Sequence, residues 1–147
     1  MSRSLIVIPT YNEIENIVPI TTAALKHAPA GTEILVVDDN SPDGTGKKVD
    51  ELSKTESRIH VLHRPGKQGL GPAYIAGFRW GLENGFDNLI EMDADFSHDP
   101  KYLPTMIGNL EKYDFAIGSR NVPGGGTVNW SILRKFISWG GSFYARC

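Results

Sequence analysis

The sequence has little cysteine, no long apolar run and no excess of positive charge. Its single cysteine is Cys147, so no disulfide can close within the chain, and a reducing compartment is the simplest setting. No apolar stretch approaches the roughly 20 residues of a membrane-spanning helix. A secretory signal is not expected either, since only Leu5–Ile8 are apolar before Pro9 and such signals carry roughly 7–15 apolar residues. Lys and Arg total 15 against 17 Asp and Glu, for a net charge of −2. That balance speaks against a nucleic-acid partner, whose electrostatic footprint is strongly basic. No Gly-x-Gly-x-x-Gly follows the first apolar run, which disfavours a dinucleotide-dependent oxidoreductase.

A chain of 147 residues fits one domain and buries roughly 70% of its unfolded surface. Four β-rich runs stand out: Leu5–Ile8, Glu33–Val37, Ile59–Leu62 and Asn88–Met92, with a weaker fifth at Phe115–Ile117. The first two are continuous rather than alternating, as in strands covered on both faces. Helix-period segments lie between them. Ile14, Ile17, Val18, Thr21 and Leu25 form one stripe. Ala73, Ala76, Phe78, Trp80 and Leu82 form a noisier one, interrupted by Gly77 and Gly81. Pro100 opens a third segment with Leu103, Ile107 and Leu110. The alternation predicts an α/β fold with a mostly parallel sheet.

Ligands of such sheets bind beyond the carboxyl ends of the strands. The segments there are Pro9–Glu13, Asp38–Thr45, His63–Lys67 and Asp93–Asp95, all polar and three of them carrying carboxylates. In extended chain, residues two apart point the same way, so Asp93 and Asp95 can converge on a divalent cation such as Mg2+ or Mn2+. A plain solvated turn, with Asp99 capping the Pro100 helix, is the competing reading, and His98 more simply stands in solvent than as a ligand. Asp38-Asp39 stands where nucleotide-binding sheets place an acid on a ribose, although Asp39 and Ser41 also suit helix capping. Gly66-Lys67-Gln68-Gly69-Leu70-Gly71 has the glycine content of a phosphate loop without Walker A spacing.

Taken together, Pro-Thr-Tyr-Asn-Glu (9–13), Val-Asp-Asp-Asn-Ser-Pro-Asp-Gly-Thr (37–45), Lys-Gln-Gly-Leu-Gly-Pro-Ala-Tyr (67–74), Met-Asp-Ala-Asp-Phe-Ser-His-Asp-Pro (92–100) and Gly-Ser-Arg-Asn-Val-Pro-Gly-Gly-Gly (118–126) resemble family 2 glycosyltransferases. Within that family they look most like dolichol- or polyprenol-phosphate mannosyltransferases. The resemblance implies a Rossmann-like, three-layer GT-A fold and transfer of mannose from GDP-mannose to a polyprenol phosphate with inversion. It places Pro9, Tyr11 and Glu13 on the nucleotide and Val37 and Asp39 at the base or ribose. Asp93 and Asp95 become the pair that meets Mg2+ or Mn2+ and the diphosphate, with Ala94 lining the site. Arg120 is implied near the diphosphate or lipid phosphate, and Arg134 as a second phosphate contact. Ser97 stands where some relatives carry a metal-binding Gln.

The resemblance leads to a reading of residues 1–147 as a single domain, with a nucleotide-sugar half at 1–100 and an acceptor-side half at 101–147. Relatives continue past the position of Cys147, so the acceptor side is expected to be incomplete. Trp130–Arg146 mixes aromatics with Arg134, Lys135 and Arg146, the pattern of a basic amphipathic helix at a membrane surface. The expectation is a cytoplasmic, peripherally membrane-associated protein, held by that helix or by an anchoring partner protein. Two alternatives stand beside it: a polyprenol-phosphate glycosyltransferase using a UDP-sugar, such as a glucosyl donor, and a non-catalytic nucleotide-sugar-binding module.

Overall fold

The computed structural model describes residues 2–119 together with Val122 and Gly126. The chain divides into two compact units, Met1–Ala116 and Ile117–Cys147, and every helix and strand described below belongs to the first. The expectations for Arg120, Arg134 and the 130–146 helix lie outside the described residues.

Four strands, β1 (Ser4–Thr10), β2 (Thr32–Asp38), β3 (Ile59–His63) and β4 (Asn88–Glu91), pair in parallel in the order β3-β2-β1-β4. The continuous apolar runs of β1 and β2 explain their central place. Leu5, Ile6, Val7, Ile8, Ile34, Leu35, Val36 and Val37 are all wholly buried. Alternate residues feed two cores. Ile6, Ile8, Ile34 and Val36 pack with α1 (Ile17–His27), α2 (Thr45–Thr55) and α4 (Leu103–Asn109) through Ile17, Ile20, Ala24, Val49 and Leu103. Leu5, Val7, Leu35 and Val37 pack with Ala73 and Tyr74 of α3 (Leu70–Glu83) and with Phe86. Helices therefore cover both faces, giving three layers. Each fully buried Ile or Leu contributes about 1.5–3 kcal/mol.

The structure changes three details of the sequence reading. Ile14 is not on the buried stripe of the first helix. It precedes α1 and is 37% exposed, while the buried face is Ile17, Ile20, Thr21 and Ala24. In α3 the glycines are the packed face rather than interruptions: Ala73, Tyr74, Gly77 and Gly81 are buried, and Leu82 is exposed. A Cβ at Gly77 would collide with Val7 Cγ1, and one at Gly81 would sit 2.6 Å from Leu89 Cδ2. The fifth run, Phe115–Ile117, forms no strand. Phe115 is 73% and Ile117 79% exposed, and without apolar cover β propensity alone does not hold a strand.

The chain runs outward from β1 through β2 to β3, then returns to place β4 on the other side of β1. The order reverses between β1 and its two neighbours. At such a reversal the connecting loops diverge and leave a crevice at the carboxyl ends of the strands.

Candidate active site

The loop after β1 is fixed by the loop after β2. Three successive amides of the first loop donate to side chains of the second: Asn12 N to Ser41 Oγ at 3.1 Å, Glu13 N to Thr45 Oγ1 at 3.0 Å, and Ile14 N to Asp43 Oδ2 at 3.0 Å. Asn12 adopts a left-handed φ of 62°, a conformation asparagine tolerates better than most residues. Asp43 also accepts from Thr45 N at 2.9 Å and from Thr45 Oγ1 at 2.6 Å. Burial pushes its carboxyl pKa up, but the hydrogen bonds from Thr45 and Ile14 outweigh that and hold it below its ordinary value.

The adjacent acids Asp38 and Asp39 have different roles. Asp38 accepts from Thr10 Oγ1 at 3.1 Å, Ser41 N at 3.1 Å and Ser41 Oγ at 2.6 Å, so it organises the turn. The capping role weighed for Asp39 and Ser41 falls instead to Asp43, at the start of α2. Asp39 faces the crevice and meets Arg64, with Oδ1 and Nη1 2.8 Å apart and side chains only 7% and 9% exposed. The two atoms are in charge contact without the alignment of a hydrogen bond. Beyond Arg64, Lys67 places its ammonium 4.4 Å from the centre of the Tyr11 ring.

β4 ends at Glu91, and Asp93–Asp95 form the start of a turn rather than extended chain. Both carboxylates still line the same crevice. Asp93 Oδ1 accepts from the Tyr74 hydroxyl at 3.0 Å, and its backbone N–H donates to His98 Nδ1 at 3.2 Å. His98 Nε2 lies 4.0 Å from Asp93 Oδ2. Asp95 Oδ1 accepts from Ser97 N at 2.9 Å. The side chain and then the backbone N–H of Ser97, with His98 nearby, hold the Asp95 carboxyl below its ordinary value. Asp99 accepts from Lys101 N at 3.1 Å and opens the Pro100–Tyr102 turn of 3-10 helix that leads into α4. That helix start is the one expected from Asp99 and Pro100.

The crevice has a volume of about 310 Å3. Pro9, Tyr11 and Glu13 reach it from the end of β1, Asp39 from β2, and Asp93, Ala94 and Asp95 from beyond β4. Val37 does not line it, because its side chain is wholly buried beside Ala73 and Tyr74. Lys67 and Gly69 of the glycine-rich loop do line it. Their signal in the sequence was a loop without a recognised spacing. Among the described residues no three His, Cys, Asp or Glu side chains converge on one point, and no helix is long and apolar enough to cross a membrane.

The model of glycosyl transferase family 2 matches residues 5–146. The chain belongs to that family. It is 56% identical over 144 residues to an undecaprenyl-phosphate mannosyltransferase of Micrococcus luteus, covering 98% of this chain and 59% of the relative. It is 49% identical over 146 residues to a polyprenol monophosphomannose synthase of Mycolicibacterium smegmatis, covering 98% and 55%. The chain thus spans a little over half the length of these two family members. Among solved structures it is similar to a mannosyltransferase from Pyrobaculum calidifontis in complex with GDP-Man and Mn2+. That likeness has a TM-score of 0.54 and 24% identity, over 63% of this chain and 27% of the other. It supports the GT-A fold of the family, in agreement with the parallel three-layer sheet.

Proposed function

We propose that this chain carries the donor-binding part of an enzyme that moves mannose from GDP-mannose to a polyprenol phosphate, with inversion at the sugar. The observation that carries this reading is the gathering of Tyr11, Glu13, Asp39, Asp93 and Asp95 around one crevice at the strand ends. The names of the polyprenol-phosphate mannosyltransferases it resembles supply the sugar and the acceptor.

Asp93 and Asp95 suit Mg2+ or Mn2+. These ions bind through one or two carboxylates and complete their shell with substrate phosphates and water, so a two-carboxylate site without a third protein ligand fits that habit. Each carboxylate is held through Oδ1, and Asp93 Oδ2 lies 4.0 Å from His98 Nε2. Bound there, the ion supplies positive charge opposite the departing diphosphate. Lys67 brings a second positive charge to the same crevice, which counters repulsion between donor and acceptor phosphates. Asp39, held by Arg64, faces the nucleoside end.

A lipid phosphate monoester is already anionic near neutral pH, with a second pKa of about 6. The attacking oxygen therefore needs no protein base, and catalysis reduces to alignment and charge neutralisation. On this reading Arg120 and Arg134 serve the phosphates, and the 130–146 segment lies at the membrane surface where the acceptor resides.

The experiment is equilibrium binding of GDP-[14C]mannose to the chain with and without Mg2+ or Mn2+, with unlabelled UDP-glucose as competitor. Binding is expected to depend on the divalent ion and to resist UDP-glucose. No binding of GDP-mannose, or equal displacement by UDP-glucose, overturns the reading.

A further inference from the structure

Tyr74 has no place in the donor contacts above, yet it is the described side chain that reaches one of the two crevice acids from inside the core. It is 7% exposed and sits in the apolar cluster of Leu5, Val7, Leu35 and Val37. Its ring lies 6.0 Å from that of Phe78, tilted by 33°. A buried phenol needs a hydrogen-bond partner, and the Tyr74 hydroxyl finds Asp93 Oδ1 at 3.0 Å.

The reach depends on the glycine face of α3. Gly77 and Gly81 let the helix backbone press against Val7 and Leu89, and Tyr74, one turn earlier on the same face, is carried under the end of β4. The phenolic O–H is the donor and the carboxylate oxygen the acceptor in this contact.

We propose that Tyr74 is a positioning residue that fixes Asp93 through Oδ1 from behind, so that Oδ2, which lies 4.0 Å from His98 Nε2, is held for a divalent cation beside Asp95. Ser97 N does the same for Asp95 from the turn. The two acids are thus pinned from opposite sources, one by the core and one by local backbone. This inference rests on the metal-assisted reading of the donor site. Hydrogen bonds behind a metal ligand set its orientation, and their loss typically weakens metal affinity 10–100-fold.

The test compares the wild-type protein with Tyr74→Phe and Phe78→Leu by equilibrium dialysis of GDP across a Mn2+ titration, with a melt of each protein in the absence of metal. Tyr74→Phe keeps the ring and removes only the hydroxyl. It is expected to need about tenfold more Mn2+ for half-maximal GDP binding, with GDP binding in the absence of metal unchanged. Phe78→Leu is expected to lower the melting temperature and leave the Mn2+ requirement within about twofold of wild type, since it disturbs the packing but not the hydrogen bond. An unchanged Mn2+ requirement in Tyr74→Phe overturns the proposal for Tyr74 alone. An equal rise in Phe78→Leu also overturns it, by assigning the effect to packing. Wild-type GDP binding indifferent to Mn2+ defeats the donor-site reading and the proposal with it.

Discussion

The two acidic strand ends of this sheet look alike in sequence and are held differently. After β2, Asp38 and Asp39 are adjacent, so their side chains leave the chain in opposite directions. Asp38 is consumed by Thr10 and Ser41, and Asp39 lies against Arg64. After β4, Asp93 and Asp95 are separated by Ala94 and share one crevice. Asp93 accepts from the Tyr74 phenol, with His98 Nε2 4.0 Å from its other oxygen, and Asp95 accepts from the Ser97 backbone amide. Asp38 is built into the architecture, Asp39 is held at the crevice by Arg64, and the second pair is oriented within that crevice by hydrogen bonds.

This contrast predicts which variants lose binding and which lose stability. The largest effect is expected from Asp95→Ala, which should abolish metal-dependent GDP binding in a titration while leaving the melting temperature close to wild type. Metal-dependent affinity unchanged in that variant would remove Asp95 from the site. Next comes Arg64→Met, which leaves the Asp39 charge buried without its partner. A loss of about 3–5 kcal/mol is expected in denaturant unfolding, and a loss under 1 kcal/mol would show that Asp39 is solvated. Asp38→Ala removes three accepted hydrogen bonds and should cost about 2 kcal/mol of stability with Mn2+ dependence intact. If it instead changes the Mn2+ requirement as strongly as Asp95→Ala, the division between the two strand ends fails.

The smallest effect is the response to acid. Asp43 and Asp95 both have folded-state carboxyl values below their ordinary 3.8. Each contributes stability that is complete above the unfolded value and is lost as pH falls through the folded one. Melting temperature should therefore be flat from neutral pH down to about 5 and decline below about 4. Glu33, Glu56 and Asp99 are lowered in the same direction, so a rise in stability on acidification over that range would contradict the hydrogen bonds assigned to these acids as a group.

Much of this was legible in the sequence, for identifiable reasons. The central strands are continuous apolar runs that only a doubly covered sheet accommodates, and the topological rule then points to the acids that follow them. What was not legible depends on contacts between distant segments. Gly77 and Gly81 read as breaks because a helix pattern scores side chains, whereas here the absence of a side chain is what fits against Val7 and Leu89. Asp43 was passed over for Asp39 and Ser41, and only the fold shows it accepting from Thr45 N at the start of α2 and from Ile14 N in the loop after β1. Tyr74 carried one available signal: it lies three residues before Gly77, on the packed face of α3. Asp93 and Asp95 reach the same crevice through a turn rather than through the extended chain that suggested their pairing.

The central claim is that the crevice at the ends of β1, β2 and β4 binds a guanine nucleotide through a cation on Asp93 and Asp95. The most direct measurement is a thermal melt with Mn2+ and either GDP, UDP or no nucleotide, with GDP also tested in the absence of Mn2+. At about 100 times the dissociation constant, GDP with Mn2+ should add about 2.7 kcal/mol and raise the midpoint by roughly 5–10 °C. A cooperative melt that GDP does not raise, or that UDP or metal-free GDP raises equally, would contradict it.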